Sequence, residues 1–391
     1  MVASSVTEQL HINSIYFAQQ LITLPSVTPC DAGCQSFIAE HLEQLGFCCQ
    51  WLPRNGVTNL IARWGNGARH FAFSGHTDVV PPGPAQVWSH PPFAATIKNN
   101  ILYGRGAADM KTGIAAMLAA TQRAIAGMHP DKLTFWWLIT SDAEGKAEDG
   151  TKWIKHYLDA QNISLDMCLV GEPTANDYTG DTLKVGRRGS LSGTLVITGQ
   201  QGHVAYPQYS KNAIHVATDI CQTLRGIPWD PGTADLPGTS LQITHIDTGC
   251  FTDNMLPAGA RIEFNIRYTP PYTHTSVAAL IEQHIYPIDA DVRLSWSRPC
   301  HAYHSQARTK WCLIKLCEKA IYQATGRYPI LSTAGGTWDG RFLASDKTQV
   351  VELGVPNRSI HQVDEHVHLS DLLTLEDIYC TILTELSLQA T

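Results

Sequence analysis

Leu133-Thr134-Phe135-Trp136-Trp137-Leu138-Ile139-Thr140 runs straight into Ser141-Asp142-Ala143-Glu144-Gly145. The first part is the most apolar run of the chain, far too short to span a bilayer and of the length of a buried strand. The second part sets carboxylates just past that strand's end. The same grammar extends outward. Asn59-Leu60-Ile61-Ala62 and His70 to Ser74 read as strands, Gly113 to Ala126 as an amphipathic helix, Gly150 to Ala160 as another helix, and Met167 to Val170 as the next strand. Strand and helix in alternation predict a parallel-rich α/β sheet with helices on both faces. In such sheets ligands gather at the carboxyl ends of strands, which is where His76, Asp142 to Glu144, and Glu172 stand.

After Gly186-Arg187-Arg188-Gly189 the grammar changes. Leu191 to Thr198 reads as strand, Asn212 to Arg225 as helix, Ser240 to Ile246 and Arg261 to Tyr268 as strands, Thr275 to Ile285 as helix and Val292 to Trp296 as strand. This β-α-β-β-α-β order predicts a ferredoxin-like unit inserted into the first domain. Then come a helix over Thr309 to Thr325, a Gly-rich segment, the strand Gln349 to Leu353, His361 and a terminal helix. At 391 residues the chain is too long for one ordinary core. We therefore expect a catalytic domain in two parts, 1–187 and 297–391, around an insert over 188–296.

The chemistry-bearing residues fall in five segments. Gly75-His76-Thr77-Asp78-Val79-Val80-Pro81 pairs an imidazole with a carboxylate two residues on, the arrangement that orients a zinc-bound histidine. Gly104-Arg105-Gly106-Ala107-Ala108-Asp109-Met110-Lys111 puts a second carboxylate in a glycine-lined turn. Glu144, Val170-Gly171-Glu172-Pro173 and Ser359-Ile360-His361 each add one ligand type at a strand end. Any one of these alone is more often a helix cap or a satisfied core group. Together they make two imidazoles and three carboxylates, a thiolate-free set suited to two Zn²⁺ ions sharing one carboxylate, which can clamp a hydrolytic water and polarise a carbonyl.

In these segments and their order the chain resembles the dinuclear zinc aminoacylase/carboxypeptidase-like metallopeptidases, a likeness that runs through nearly its whole length. The resemblance implies a zinc-peptidase-like domain, with a mixed sheet between helices, and an inserted ferredoxin-like dimerisation domain. It assigns Asp109 as the bridge, His76 and Glu172 to one zinc, Glu144 and His361 to the other, and Asp78 as the orienter of His76, with Co²⁺ as the alternative metal. It also implies that His203, in Gly202-His203-Val204-Ala205-Tyr206-Pro207, stabilises the oxyanion in the partner subunit of a homodimer. Arg187 or Arg188, Ser190, Asn254, Arg267, Thr337 and Arg341 stand in segments resembling the family's substrate contacts, and arginine is the rigid two-pronged partner of a carboxylate. The implied reaction is hydrolysis of N-succinyl-L,L-2,6-diaminopimelate to L,L-2,6-diaminopimelate and succinate, in the lysine and diaminopimelate pathway. The rivals are another N-acyl amino acid deacylase, such as one acting on acetylornithine, and a non-catalytic relative that binds metal and ligand.

The chain departs from the pattern at Ala143. There the family carries a Glu that takes a proton from the attacking water and hands it to the leaving amine, and losing such a base typically costs about 10²- to 10⁴-fold in rate. We therefore expect low activity from an engineered or otherwise inactivated family member, with Asp142 and Glu148 the nearest acids. Trp338, Ala334 and Asp253 also depart from the family's residues, and Trp338 beside Thr337 is expected to narrow the acyl pocket.

Composition narrows the partners. The chain is 44% hydrophobic and 16% charged, with net charge −7 and no basic block, which argues against nucleic acid and anionic membranes and for small molecules or other subunits. Met1 to Phe17 lacks the pattern of a secretory signal. The 11 cysteines follow neither a zinc-finger nor a secreted spacing and read as free thiols of a cytoplasmic protein.

Overall fold

The computed structural model describes residues 14–233, 237–249, 252–288, 291–305, 312–336 and 338–389. Two compact units divide the chain, one of Met1–Gly186, Ser305–Ser332 and Trp338–Thr391, the other of Arg187–His304 and Thr333–Thr337.

The first unit is built on an 8-stranded sheet, in the order Cys48–Trp51, Asn59–Trp64, Leu133–Thr140, Arg69–His76, Met167–Val170, Gln349–Glu352, Thr182–Lys184, Ile330–Ser332. The run that opened the sequence reading lies inside it, and every residue of Leu133–Thr140 is buried. Its neighbour Arg69–His76 is parallel to it, as is Met167–Val170 to Arg69–His76 and Gln349–Glu352 to Met167–Val170. Antiparallel pairs at Asn59–Trp64 and between Gln349–Glu352 and Thr182–Lys184 make the sheet mixed. Helix Thr112–Ala124 is small and apolar nearly all round, as a helix buried on every side must be; it packs against the sheet and against the terminal helix Leu369–Gln389.

The second unit is a 4-stranded antiparallel sheet in the order Ser240–Asp247, Gly259–Tyr268, Gly189–Thr198, Asp291–Cys300, with helices Ala213–Gly226 and His274–Ile285 between strands along the chain. That order is the ferredoxin-like one. Along Gly259–Tyr268 burial alternates, with Ala260, Ile262, Phe264, Ile266 and Tyr268 inward, the period of a sheet covered on one face. The last strand runs past 296 to Cys300, because Ser190 still pairs with Cys300 across a bulge. Among the described residues no helix is long and apolar enough to cross a membrane.

Candidate metal centre

Because Leu133–Thr140, Arg69–His76 and Met167–Val170 are parallel neighbours, their carboxyl ends share one edge. His76 closes its strand, Glu144 lies in the loop after Leu133–Thr140, Glu172 follows Met167–Val170, and His361 lies in the segment beyond Gln349–Glu352. Asp109 sits in the turn that opens helix Thr112–Ala124. This turn and the Glu172 loop approach so closely that a Cβ on Gly113 would meet the Gly171 carbonyl oxygen at 2.3 Å. Glycine is what allows that approach.

Two groups result, His76 with Asp109 and Glu172, and Asp109 with Glu144 and His361, the ligand atoms of each lying within 4.8 Å of one another. His76 Nε2 is 3.2 Å from Asp109 Oδ1 and 3.5 Å from Glu172 Oε1. His361 Nε2 is 3.4 Å from Asp109 Oδ2 and 2.9 Å from Glu144 Oε1. Asp109 thus faces both imidazoles with different oxygens.

The electrostatics are those of crowded carboxylates. Burial and the neighbouring Asp109 charge push Glu172 up to about 8. Burial alone would depress His76, but the Glu172 charge and the bonds to Asp109 and Asp78 lift it well above the ordinary imidazole value. His361 is raised to about 10, first by its bond to Asp109 and then by Glu144. Burial acts to raise Asp109, yet the bonds from His361 and His76 hold it below the usual carboxylate range. Glu172 Oε2 is buried and has no hydrogen-bond partner among the described residues, a costly state for a carboxylate oxygen. The donor set of imidazole and carboxylate fits divalent cations at these positions.

Asp78 does more than the sequence suggests. His76 Nδ1 lies 2.8 Å from the backbone carbonyl of Asp78, while the Asp78 carboxylate is 3.5 Å away. The carboxylate also accepts the amides of Ala143, at 3.2 Å, and Glu144, at 3.0 Å. It therefore pins the backbone that presents Glu144. The two acids near Ala143 are engaged elsewhere. Asp142 is buried and accepts the amides of Lys146, Glu148 and Asp149, which forms its loop. Glu148 is exposed and pairs with Lys152 at 2.5 Å.

The substrate-contact candidates separate. Arg341 belongs to the first unit, in the short helix Gly340–Leu343, with its guanidinium 4.4 Å from the Phe342 ring. Thr337 lies outside the described residues. The others lie in the second unit. Arg187 is buried and donates to the Ala334 carbonyl at 2.7 Å, so backbone engages it. Arg188 donates to Gly238 O at 3.2 Å and Ser240 Oγ at 3.4 Å, and the nearby Arg267 charge adds to burial in lowering its pKa. Among the described residues neither Arg188 nor Arg267 forms an ion pair with a carboxylate. Ser190 is the cross-strand partner of Arg267. His203 is exposed on a short bridge to Met255, beside Asn254, whose carbonyl accepts the Val204 amide at 3.1 Å. The Ala205 amide donates to His203 Nδ1 at 3.1 Å, which leaves the ring proton on Nε2, free to be donated outward.

Lys111 and Glu365 are buried charges that the sequence reading missed. Lys111 donates to the carbonyls of Leu21 and Leu24, both at 2.7 Å; a lysine opening an otherwise apolar buried helix was its signal. Glu365 accepts the Asp109 amide at 3.0 Å; an acid set four residues beyond His361 was the only hint.

The chain matches the model of peptidase family M20/M25/M40 over residues 72–385. It is 61% identical over 376 residues to succinyl-diaminopimelate desuccinylase 1 of Alteromonas mediterranea, covering 96% of each chain. It is 46% identical over 371 residues to succinyl-diaminopimelate desuccinylase 2 of Shewanella loihica, covering 94% of this chain and 98% of that one. Among solved structures it is similar in fold to the Bacillus subtilis YXEP protein, a dinuclear metal-binding peptidase from the M20 family. That likeness has a TM-score of 0.69 at 13% identity and covers 97% of this chain and 99% of that one. A family model that spans His76, Asp109, Glu144, Glu172 and His361, with relatives alike over nearly their whole length, places this chain in peptidase family M20/M25/M40.

Proposed function

We propose that the chain is a dinuclear zinc amidohydrolase that cleaves N-succinyl-L,L-2,6-diaminopimelate into L,L-2,6-diaminopimelate and succinate, and that Ala143 leaves it slow. The observation that carries this reading is the pair of ligand groups sharing Asp109 at the carboxyl edge of the sheet, in a chain 61% identical to a succinyl-diaminopimelate desuccinylase. His76 and Glu172 hold one ion, Glu144 and His361 the other, and Asp109 both. Bound there, zinc supplies Lewis acidity, polarising the amide carbonyl and easing deprotonation of the attacking water; Co²⁺ is the alternative occupant.

The protein's own groups do the rest. His203 donates its Nε2 proton to the developing oxyanion. Arg188 and Arg267, with Arg187 and Arg341, receive the substrate's carboxylates, and Ser190, Asn254 and Thr337 add neutral contacts. Asp78 fixes the backbone from which a base at 143 would reach the water, and Ala143 leaves the amine without its proton donor. With its base restored by Ala143→Glu, the chain should hydrolyse the succinyl substrate faster than any other in a panel of N-acyl amino acids. Preference for N-acetylornithine would replace this reading with that of another deacylase. No hydrolysis of any member would leave a non-catalytic metal- and ligand-binding relative, a rival to which Ala143 lends weight.

We further propose a homodimer in which His203 serves the partner's site. His203 belongs to the unit that carries none of the five ligands, and it is flanked by Val204, Tyr206 and Tyr209, which are 49%, 58% and 73% exposed. Such an apolar surface suits coverage by a second copy. In the Ala143→Glu background, mixing chains that carry His203→Ala with chains that carry Asp109→Ala should restore activity that neither has alone. If mixtures stay as inactive as their parents, His203 acts within its own chain or has no part in the reaction. The described cysteines are all free, which fits the cytoplasm.

A further inference from the structure

We propose that Glu365 is the positioning residue that sets the Asp109 carboxylate for both metal ions. The inference rests on the reading of Asp109 as their shared ligand. Glu365 is 1% exposed, and both of its oxygens are engaged by one turn of chain. Oε1 accepts the amides of Ala108 at 2.8 Å and Asp109 at 3.0 Å. Oε2 accepts the Gly106 amide at 2.9 Å and Arg105 Nη1 at 2.6 Å. A carboxylate offers about four lone-pair sites, and here four donors converge on it, three of them backbone amides of the turn that presents Asp109. The Glu365 carbonyl also accepts the Gly104 amide at 2.9 Å, at the start of that turn. The other bonds of the turn, Arg105 N–H to Pro92 O at 2.7 Å, Ala107 N–H to Gly104 O at 3.1 Å and Lys111 N–H to Gly106 O at 2.9 Å, leave the Gly106, Ala108 and Asp109 amides to Glu365. Gly106 has φ +83°, a left-handed conformation, and glycine loses more freedom on folding than any other residue.

The same short segment ends the site from the other side. His361 lies four residues before Glu365 and brings Nε2 to 3.4 Å from Asp109 Oδ2. One piece of chain therefore supplies a ligand and clamps the backbone of the ligand it faces. Removing the Glu365 carboxylate leaves the Arg105 guanidinium, itself 3% exposed, and three amides without their acceptor. The turn must then shift to find others, and Asp109 moves with it.

A plain tether of the His361 segment makes a different forecast. If Glu365 only anchors that segment, its loss weakens the ion held by Glu144 and His361 and spares the ion held by His76 and Glu172. If it acts through Asp109, both weaken. Metal-free parent chain, Glu365→Gln and Glu365→Ala are titrated with Co²⁺, following heat and the visible absorption of the bound ion. The parent should take up two ions. In Glu365→Ala both dissociation constants should rise by about 10- to 100-fold, the usual effect of losing a group that orients a ligand, and both absorption bands should change. Glu365→Gln has the same length and keeps one acceptor oxygen, so it should fall between the two, and it carries the test alone if the alanine variant does not fold. A change confined to one ion, or unchanged binding of both, overturns the proposal. A parent that binds fewer than two ions overturns the shared-ligand reading beneath it.

Discussion

Replacing Ala143 by Glu raises the turnover of N-succinyl-L,L-diaminopimelate by about 10²- to 10⁴-fold, the usual worth of a positioned general base, while KM changes little. The backbone is already set for it. Asp78 accepts the amides of Ala143 and Glu144 at 3.2 and 3.0 Å, and Ala143 is only partly buried, so a longer side chain starts from a fixed Cα with room to extend. None of the residues assigned to metal or to substrate carboxylates changes, which is why binding and chemistry should separate. Single-turnover kinetics of the two forms reads the rate, and calorimetry with the substrate reads affinity. Equal rates would mean that another group moves the proton. Asp142 is tied to the amides of Lys146, Glu148 and Asp149, while Glu148 pairs with Lys152 in solvent. A rise in KM comparable to the rise in rate would mean instead that position 143 contacts the substrate rather than the water.

The architecture was legible where burial imposes a period. Leu133–Thr140 is apolar along its length because it is covered on both faces, and Gly259–Tyr268 alternates because it is covered on one. The ligand-type residues were legible for a related reason, since each follows a strand or opens a helix and those ends meet at one sheet edge. Short strands such as Thr182–Lys184 and Ile330–Ser332 were not. Three residues show no period, and their pairing comes from neighbours distant in sequence. Asp78 illustrates a subtler limit. Its spacing from His76 suggested a carboxylate beside the imidazole, and Nδ1 lies 3.5 Å from it, but the shorter contact of that ring is the backbone carbonyl at 2.8 Å, and the carboxylate also holds amides more than 60 residues away, which no spacing announces. Glu365 hid for the same reason: its partners, Arg105 to Asp109, are brought to it only by the fold.

Asp109→Ala should abolish high-affinity binding of both ions, whereas Glu144→Ala should abolish one. Asp109 alone belongs to both ligand groups, and its two oxygens face different imidazoles, His76 at 3.2 Å and His361 at 3.4 Å. Removing it leaves each group one imidazole and one carboxylate, too few donors for the four-coordinate sites that zinc prefers. Removing Glu144 leaves the His76, Asp109 and Glu172 group complete. Protons give a second readout. With no cation present, His361 is raised to about 10 and His76 lies well above its ordinary value, largely through acidic neighbours that include Asp109. The His361 ring is then protonated at neutral pH and must lose that proton to bind metal, so uptake by the parent chain releases protons and tightens as pH rises. In Asp109→Ala the His361 value falls toward the ordinary range, because its largest raising cause is the bond to Asp109, and proton release on adding metal should fall with it. Metal analysis after dialysis, with calorimetry in buffers of differing ionisation heat, measures both quantities. Retention of two tightly bound ions by Asp109→Ala would remove the shared carboxylate from the mechanism, and loss of both by Glu144→Ala would mean that the two positions fill only as a pair.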